Sequence, residues 1–239
     1  FYIVWLCAYL DTNKKNIYRL KFFMIPVAVF SVSSLLLLLQ PDFGSTVIIF
    51  LITFIMLYVA RAKIIHLFTL LLFGSLSATI LILLSDERLS RFKFFEPCSN
   101  YSGDGYHLCW SLMAIGSGGV LGKGLGASTT KLSYLPEAHT DFIFAILAEE
   151  LGIFGVIFTI VLFYLFVKKC FFVGDKSFRL GLIFQGYLSY AIGIFIALQA
   201  FLNMSVNIGI VPTKGLALPL FSYGGSNYLV SILSIAIIL

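Results

Sequence analysis

Long apolar runs alternate with short polar connections along this chain. The runs fall at about 1–10, 22–39, 44–60, 64–84, 142–167, 180–202 and 219–239. A helix needs roughly 20 mostly apolar residues to cross a bilayer, and only helices or closed barrels can satisfy their backbone there. The pattern therefore predicts an all-α, polytopic integral membrane protein with about seven membrane helices. The first run is short and opens on Phe1 rather than Met, and the last stops at Leu239 without a polar tail. A single membrane domain over 1–239, truncated at both ends, is expected. Residues 1–10 have no basic leader and no small-residue cleavage site, so they do not read as a signal peptide.

Composition sharpens the class. The chain is 60% hydrophobic and 11% charged, with a mean hydropathy of +1.02. Soluble domains run near 45–50% and about 25%, so a cytosolic enzyme, a secreted disulfide scaffold and a disordered chain are excluded. Charge placement then gives orientation. Lys14, Lys15, Arg19, Lys21, Arg61, Lys63, Lys168, Lys169, Lys176 and Arg179 occupy alternate connections, with only Asp11 and Asp175 against them. By the positive-inside rule these connections face the cytoplasm, as in a multi-pass membrane protein. The net charge of +5 is thus topological, and no basic face for nucleic acid remains.

The connection over 85–141 is the exception. It is far longer than an ordinary loop, which marks it as functional, and the alternation places it outside the cytoplasm. It holds Asp86, Glu87, Glu96, Asp104, Glu137 and Asp141, six of the chain's 11 acids. Its middle, Leu108–Ala114, is apolar enough for a short interfacial helix. Cys98 and Cys109 lie here, where thiols can be oxidised; a disulfide and two free thiols both remain open. Adding His107 and His139 gives spacings unlike those of zinc ligands, and metal ligation by histidine is set aside.

Three stretches carry chemistry. Gly116–Gly126 is glycine-rich around Lys123, but Ser117 and Gly124 stand where a phosphate-binding P-loop needs Gly and Ser or Thr. What survives is a flexible backbone and one cation that can approach a pyrophosphate, or else a solvated turn. In the second stretch, Thr140 is the expected N-cap and Asp141 the first-turn acid of the next helix. From Asp141 onward, Ala145, Ala148, Glu149, Gly152 and Gly155 share one face. Glu149 lies about 12 Å below Asp141 at about 1.5 Å per residue, a depth at which a carboxylate faces a cavity or a partner. In the third, Gln199, Asn203 and Asn207 form an amide stripe every four residues. Such amides either glue helices together or line a polar site. Pro219 and the Tyr223–Ser226 run interrupt the last apolar segment.

Taken together, Gln40–Ser45, the Lys123 segment, Tyr134–Phe142, Ala148–Gly152 and Pro219–Ser226 resemble, in this order, the SEDS family (shape, elongation, division and sporulation). The stretches Gln199–Asn203 and Val211–Leu216 look more like its cell-division member than its elongation member. The resemblance implies a ten-helix fold, present here from the fourth helix onward. It implies a peptidoglycan glycosyltransferase that polymerises lipid II, with undecaprenyl pyrophosphate leaving. It also implies a class B penicillin-binding protein and other divisome membrane proteins as partners in septal wall synthesis. Asp141 matches the family's proposed catalytic Asp, the base for the acceptor hydroxyl. Lys123 and Lys131 are then expected at the pyrophosphate, with Glu137, His139 and Glu149 as further substrate-binding residues. No tightly bound cofactor is expected; a divalent cation, Mg²⁺ or Mn²⁺, is a candidate. Two rival readings are a lipid II flippase and a non-catalytic divisome scaffold.

Overall fold

Eight α-helices and no strand make up the regular structure of the residues that the computed structural model describes, namely 1–40, 42–85, 98, 105–130, 139–212 and 215–238. They are α1 (Tyr2–Thr12), α2 (Leu20–Leu39), α3 (Phe43–Val59), α4 (Ile64–Leu83), α5 (Tyr106–Gly118), α6 (Ile143–Arg179), α7 (Ile183–Asn207) and α8 (Gly225–Ile238). Among the described residues, α2, α4, α6 and α7 are long and apolar enough to cross a membrane, while α3 and α8 are apolar but shorter.

Two boundaries differ most from the hydropathy pattern. Helix α6 runs on past 167 to Arg179, because Lys and Arg are good helix formers and suit the negative end of the helix dipole. Helix α8 starts at Gly225 rather than 219. Pro219 has no N–H to give, and Leu220 takes a φ of 66°, so the chain turns before it coils.

The chain divides into two compact units. One comprises Phe1–Leu81 and Phe166–Phe195. Its interior is built on α1 and α3, where Leu6, Cys7, Leu10, Met56 and Leu57 are fully buried. The Tyr2 and Thr53 hydroxyls lie 2.5 Å apart, and Asp42 caps α3 by accepting from Ser45 N at 3.0 Å. Glycines let the end of α6 and the start of α7 approach closely, as small residues do in membrane bundles. A Cβ on Gly193 would lie 2.9 Å from that of Cys170. Helix α4 buries only Leu67 among its described residues and turns Phe68 and Phe73 outward, as a lipid-facing helix does.

The other unit, Ile82–Leu165 with Ile196–Ile237, contains the long 85–141 connection. Cys98 and Cys109 form a disulfide, which decides the question left open by the sequence and ties the loop to α5. The apolar middle of the loop is indeed helical, over a longer span than 108–114. Gly118 at the end of α5 lies against the Ala148 carbonyl, where any Cβ would collide with backbone.

A helix break organises this unit. Gly152 has φ 64° and ψ −160° inside α6, which interrupts the helical ladder and frees the carbonyls before it. The glycine-rich loop takes their place. Lys123 N donates to Glu149 O and Gly124 N to Glu150 O, both at 3.0 Å, while Ile153 N donates to Gly119 O at 3.1 Å. In an unbroken helix the Ile153 amide would serve the Glu149 carbonyl. The loop thus substitutes for part of one turn of helix and supplies partners to backbone groups that the break frees.

Candidate functional site

Three successive carbonyls hold the turn that carries Asp141. Tyr223 N donates to His139 O at 2.9 Å. The Ser222 hydroxyl donates to Thr140 O at 2.6 Å and accepts from Leu218 N at 2.6 Å. The side-chain amides of Asn203 and Asn207 both donate to Asp141 O, at 2.9 and 3.0 Å. Each donor comes from α7 or from the segment before α8, so the turn is clamped from outside its own helix. A carbonyl accepting two amide donors in a buried setting is strongly oriented.

The structure corrects the expected cap. Thr140 and Asp141 lie in the turn and α6 begins only at Ile143, with no acid in its first turn. The Thr140 carbonyl is occupied by Ser222, and the Ala145 amide is shared between Phe142 O at 3.1 Å and Asn207 Oδ1 at 3.2 Å. Asn207 therefore supplies from another helix the acceptor that Thr140 was expected to provide. It is fully buried, as Asn203 is within 1%. Asn203 also donates to Leu216 O, and the Ser111 hydroxyl donates to Asn207 O at 2.8 Å. The amide stripe read from the sequence is thus a hub joining α5, α6, α7 and the 215–218 segment.

The Asp141 carboxylate, half-buried, faces Gly215. A Cβ there would lie 3.1 Å from Oδ2, so a larger residue would press on the carboxylate. Behind the turn, Phe142 is buried with Ile146 against Trp110, and the His107 ring stacks on Phe142 at 6.1 Å. Beside the turn opens a cleft of about 640 Å³ lined by His139, Ile143 and Leu220 through Gly225 and Tyr228.

Glu149 and Lys123 form a second cluster. Lys123 Nζ lies 2.7 Å from Glu149 Oε1. Ser117 Oγ, Thr129 N and Thr129 Oγ1 also donate to Oε1, at 3.5, 3.3 and 3.1 Å. Ser128 Oγ donates to Oε2 at 2.6 Å, and Thr130 Oγ1 donates there too. Glu149 is fully buried, whereas the Lys123 side chain keeps 35% exposure. The deep carboxylate thus faces a partner in its own protein, the glycine-rich loop. The hydroxyl run Ser128–Thr130 and Ser222 were not singled out from the sequence. The signal was there: three hydroxyls in a row after a glycine-rich loop, upstream of the acid pair Glu149 and Glu150 inside an apolar run. Lys131 and Glu137 lie outside the described residues.

Asn207→Leu is expected to destabilise the protein by about 2 kcal/mol, since it removes a buried donor and a buried acceptor at once. Thermal denaturation in detergent checks this; the melting temperature is expected to fall by several degrees.

Comparison with known proteins decides the family. The model of the FtsW/RodA/SpoVE cell cycle proteins matches residues 1–239. The chain belongs to this family. It is 42% identical to the probable peptidoglycan glycosyltransferase FtsW of Nitrosococcus halophilus, over 100% of this chain and 62% of that protein. It is also 42% identical to the probable peptidoglycan glycosyltransferase FtsW of Alteromonas naphthalenivorans, over 100% of this chain and 47% of that one. The chain therefore spans about half to two thirds of the length of these relatives. Its fold is that of a chain in a peptidoglycan synthase complex that coordinates polymerization and crosslinking, with a TM-score of 0.76, 24% identity and coverage of 98% of this chain and 66% of that one. As a member of this family with several membrane-spanning helices, it is a multi-pass membrane protein.

Proposed function

We propose that the protein polymerises lipid II into glycan strands for septal wall synthesis in cell division, with Asp141 as the base. The observation that carries this reading is the clamped turn. Its three carbonyls are held from outside, which fixes the backbone of one half-buried acid whose carboxylate lies against Gly215. That is the preorganisation a proton-abstracting carboxylate needs.

In the reaction, the 4-hydroxyl of the acceptor sugar attacks the anomeric carbon of the donor. Asp141 takes the hydroxyl proton as the new C–O bond forms. The bond to the pyrophosphate breaks, and undecaprenyl pyrophosphate leaves with the electron pair. Lys123, part-exposed and held by Glu149, is the cation for that leaving group, with Lys131 further along the same segment. Glu149 acts through Lys123. Glu137 and His139, on the same stretch as Asp141, are assigned to the substrate. A Mg²⁺ or Mn²⁺ ion arriving with the substrate would supply further positive charge for the leaving pyrophosphate.

This reading puts the 85–141 loop on the outer side of the inner membrane. It also pairs the protein with a class B penicillin-binding protein, which cross-links the strands, among other divisome proteins. The test uses the full-length protein with that partner in vesicles supplied with lipid II. Glycan polymer is expected without scrambling of a fluorescent lipid II analogue. Scrambling without polymer would replace the transferase with a flippase, and neither would leave a scaffold.

A further inference from the structure

We infer that the cleft beside the Asp141 turn is a saccharide platform, in which a sugar ring of the substrate stacks on Tyr223 over the bare backbone of Gly224 and Gly225. The inference rests on the transferase reading and names a part of its site.

Four observations converge. First, the cleft is bound to the Asp141 turn: its residues Ser222 and Tyr223 donate to the carbonyls of Thr140 and His139, at 2.6 and 2.9 Å. A ligand in it sits next to the base through two fixed hydrogen bonds. Second, Tyr223 is 82% exposed although its backbone is pinned, and Tyr228 on the first turn of α8 is 48% exposed. An anchored aromatic ring left open beside a cleft offers a large rigid contact face at little entropic cost.

Third, the two glycines are not needed by the fold. Neither has a positive φ. A Cβ on Gly225 would meet nothing within 4 Å among the described residues, and one on Gly224 only Asn227 Cβ at 3.9 Å. Gly118 and Gly152, by contrast, are demanded by close backbone contact. Glycine at 224 and 225 costs entropy and leaves open backbone that a ligand can lie on. Fourth, Leu220 in the cleft wall is held at φ 66°, a conformation that costs a non-glycine residue energy and tends to cluster at ligand sites.

The chemistry of the lining selects the ligand. Among its described residues there is no Lys, Arg, Asp or Glu, so the pyrophosphate does not belong here. A neutral group does, with an apolar face for the ring and hydroxyls for polar partners. The first backbone N–H groups of α8 have no partner within the helix and are suitable donors to such hydroxyls. A pyranose ring has both features, and about 640 Å³ is within the usual size range of ligand pockets.

The experiment is steady-state polymerisation by the full-length protein with its partner, comparing wild type with Tyr223→Phe, Tyr223→Ala and Gly225→Val. Tyr223→Phe keeps the ring and is expected to stay within about twofold of wild type. Tyr223→Ala is expected to raise KM about tenfold with kcat nearly unchanged. Gly225→Val is expected to raise KM likewise, with no fall in melting temperature because the site is open. Varying lipid II at fixed glycan primer, then primer at fixed lipid II, tells whether the donor or the acceptor sugar lies on the ring. An unchanged KM in Tyr223→Ala, or a KM as poor in Phe as in Ala, overturns the platform. An unchanged KM in Gly225→Val does the same. All three leave the transferase reading intact so long as wild type makes polymer and Asp141→Asn does not. A wild type that makes none overturns both.

Discussion

Asp141→Asn is expected to lower glycan polymerisation about a thousandfold while leaving the melting temperature within a degree or two of wild type. The rate loss follows from the chemistry. An amide cannot accept the acceptor sugar's proton, and a positioned base contributes roughly 10²–10⁴ in rate. The unchanged stability follows from the geometry. Asn203 and Asn207 hold Asp141 through its main-chain carbonyl, and that hold survives any change of side chain. Asp141→Glu is expected to lie between the two, because the longer side chain moves the carboxylate out of place beside Gly215. Gel analysis of polymer from lipid II checks rate, and thermal denaturation in detergent checks fold. Equal polymer from wild type and Asp141→Asn would remove Asp141 from the mechanism.

The clamp also explains which parts of the site could be read from sequence. Membrane helices are legible because hydropathy acts locally: a run of apolar residues has no alternative but to coil in a bilayer. The amide stripe was legible for a related reason, since Gln199, Asn203 and Asn207 share one face at helical spacing. What that face would touch was not. Asp141 O and Ala145 N lie some 60 residues away from Asn207 in sequence, and only packing brings them together. Thr140 has the residue type of a cap, and local propensity favoured it. Ser222 and Asn207 claimed the neighbouring groups instead, a tertiary override of local preference.

Gly152 shows the same limit from the other side. The sequence placed it with Gly155 on the face that carries Glu149, with no sign that the helix would break there. The structure uses it to break the helix and admit the 119–124 backbone. A glycine in a membrane helix signals close approach, but not which chain approaches. The cysteines were similarly undetermined, because an outer location permits a disulfide without requiring one. By contrast, the depth of Glu149 alone announced a partner, and the partner proved to be the Lys123 loop.

Glu149→Leu is expected to be the most destabilising of the substitutions considered, at about 3–5 kcal/mol. Glu149 is fully buried and takes donors from Lys123, Ser117, Ser128, Thr129 and Thr130. Leucine fits the volume but accepts nothing. Removing the carboxylate leaves the buried Ser128 and Thr130 hydroxyls without that acceptor, while the part-exposed Lys123 turns to water, and the loop must reopen for the hydroxyls to follow. That in turn unmakes the backbone bonds from Lys123 and Gly124 to the carbonyls freed at the helix break. Glu149→Gln separates charge from hydrogen bonding. Its amide oxygen still accepts, and the hydroxyls can rotate to accept from its NH₂, but Lys123 loses its counter-ion. It is therefore expected to cost roughly half as much. Limited proteolysis measures the loop directly: cleavage within 119–130 should be fastest in Glu149→Leu, slower in Glu149→Gln and slowest in wild type. If Leu and wild type are cut at equal rates and melt together, the Glu149 cradle does not hold the loop, and Lys123 must be positioned by something else.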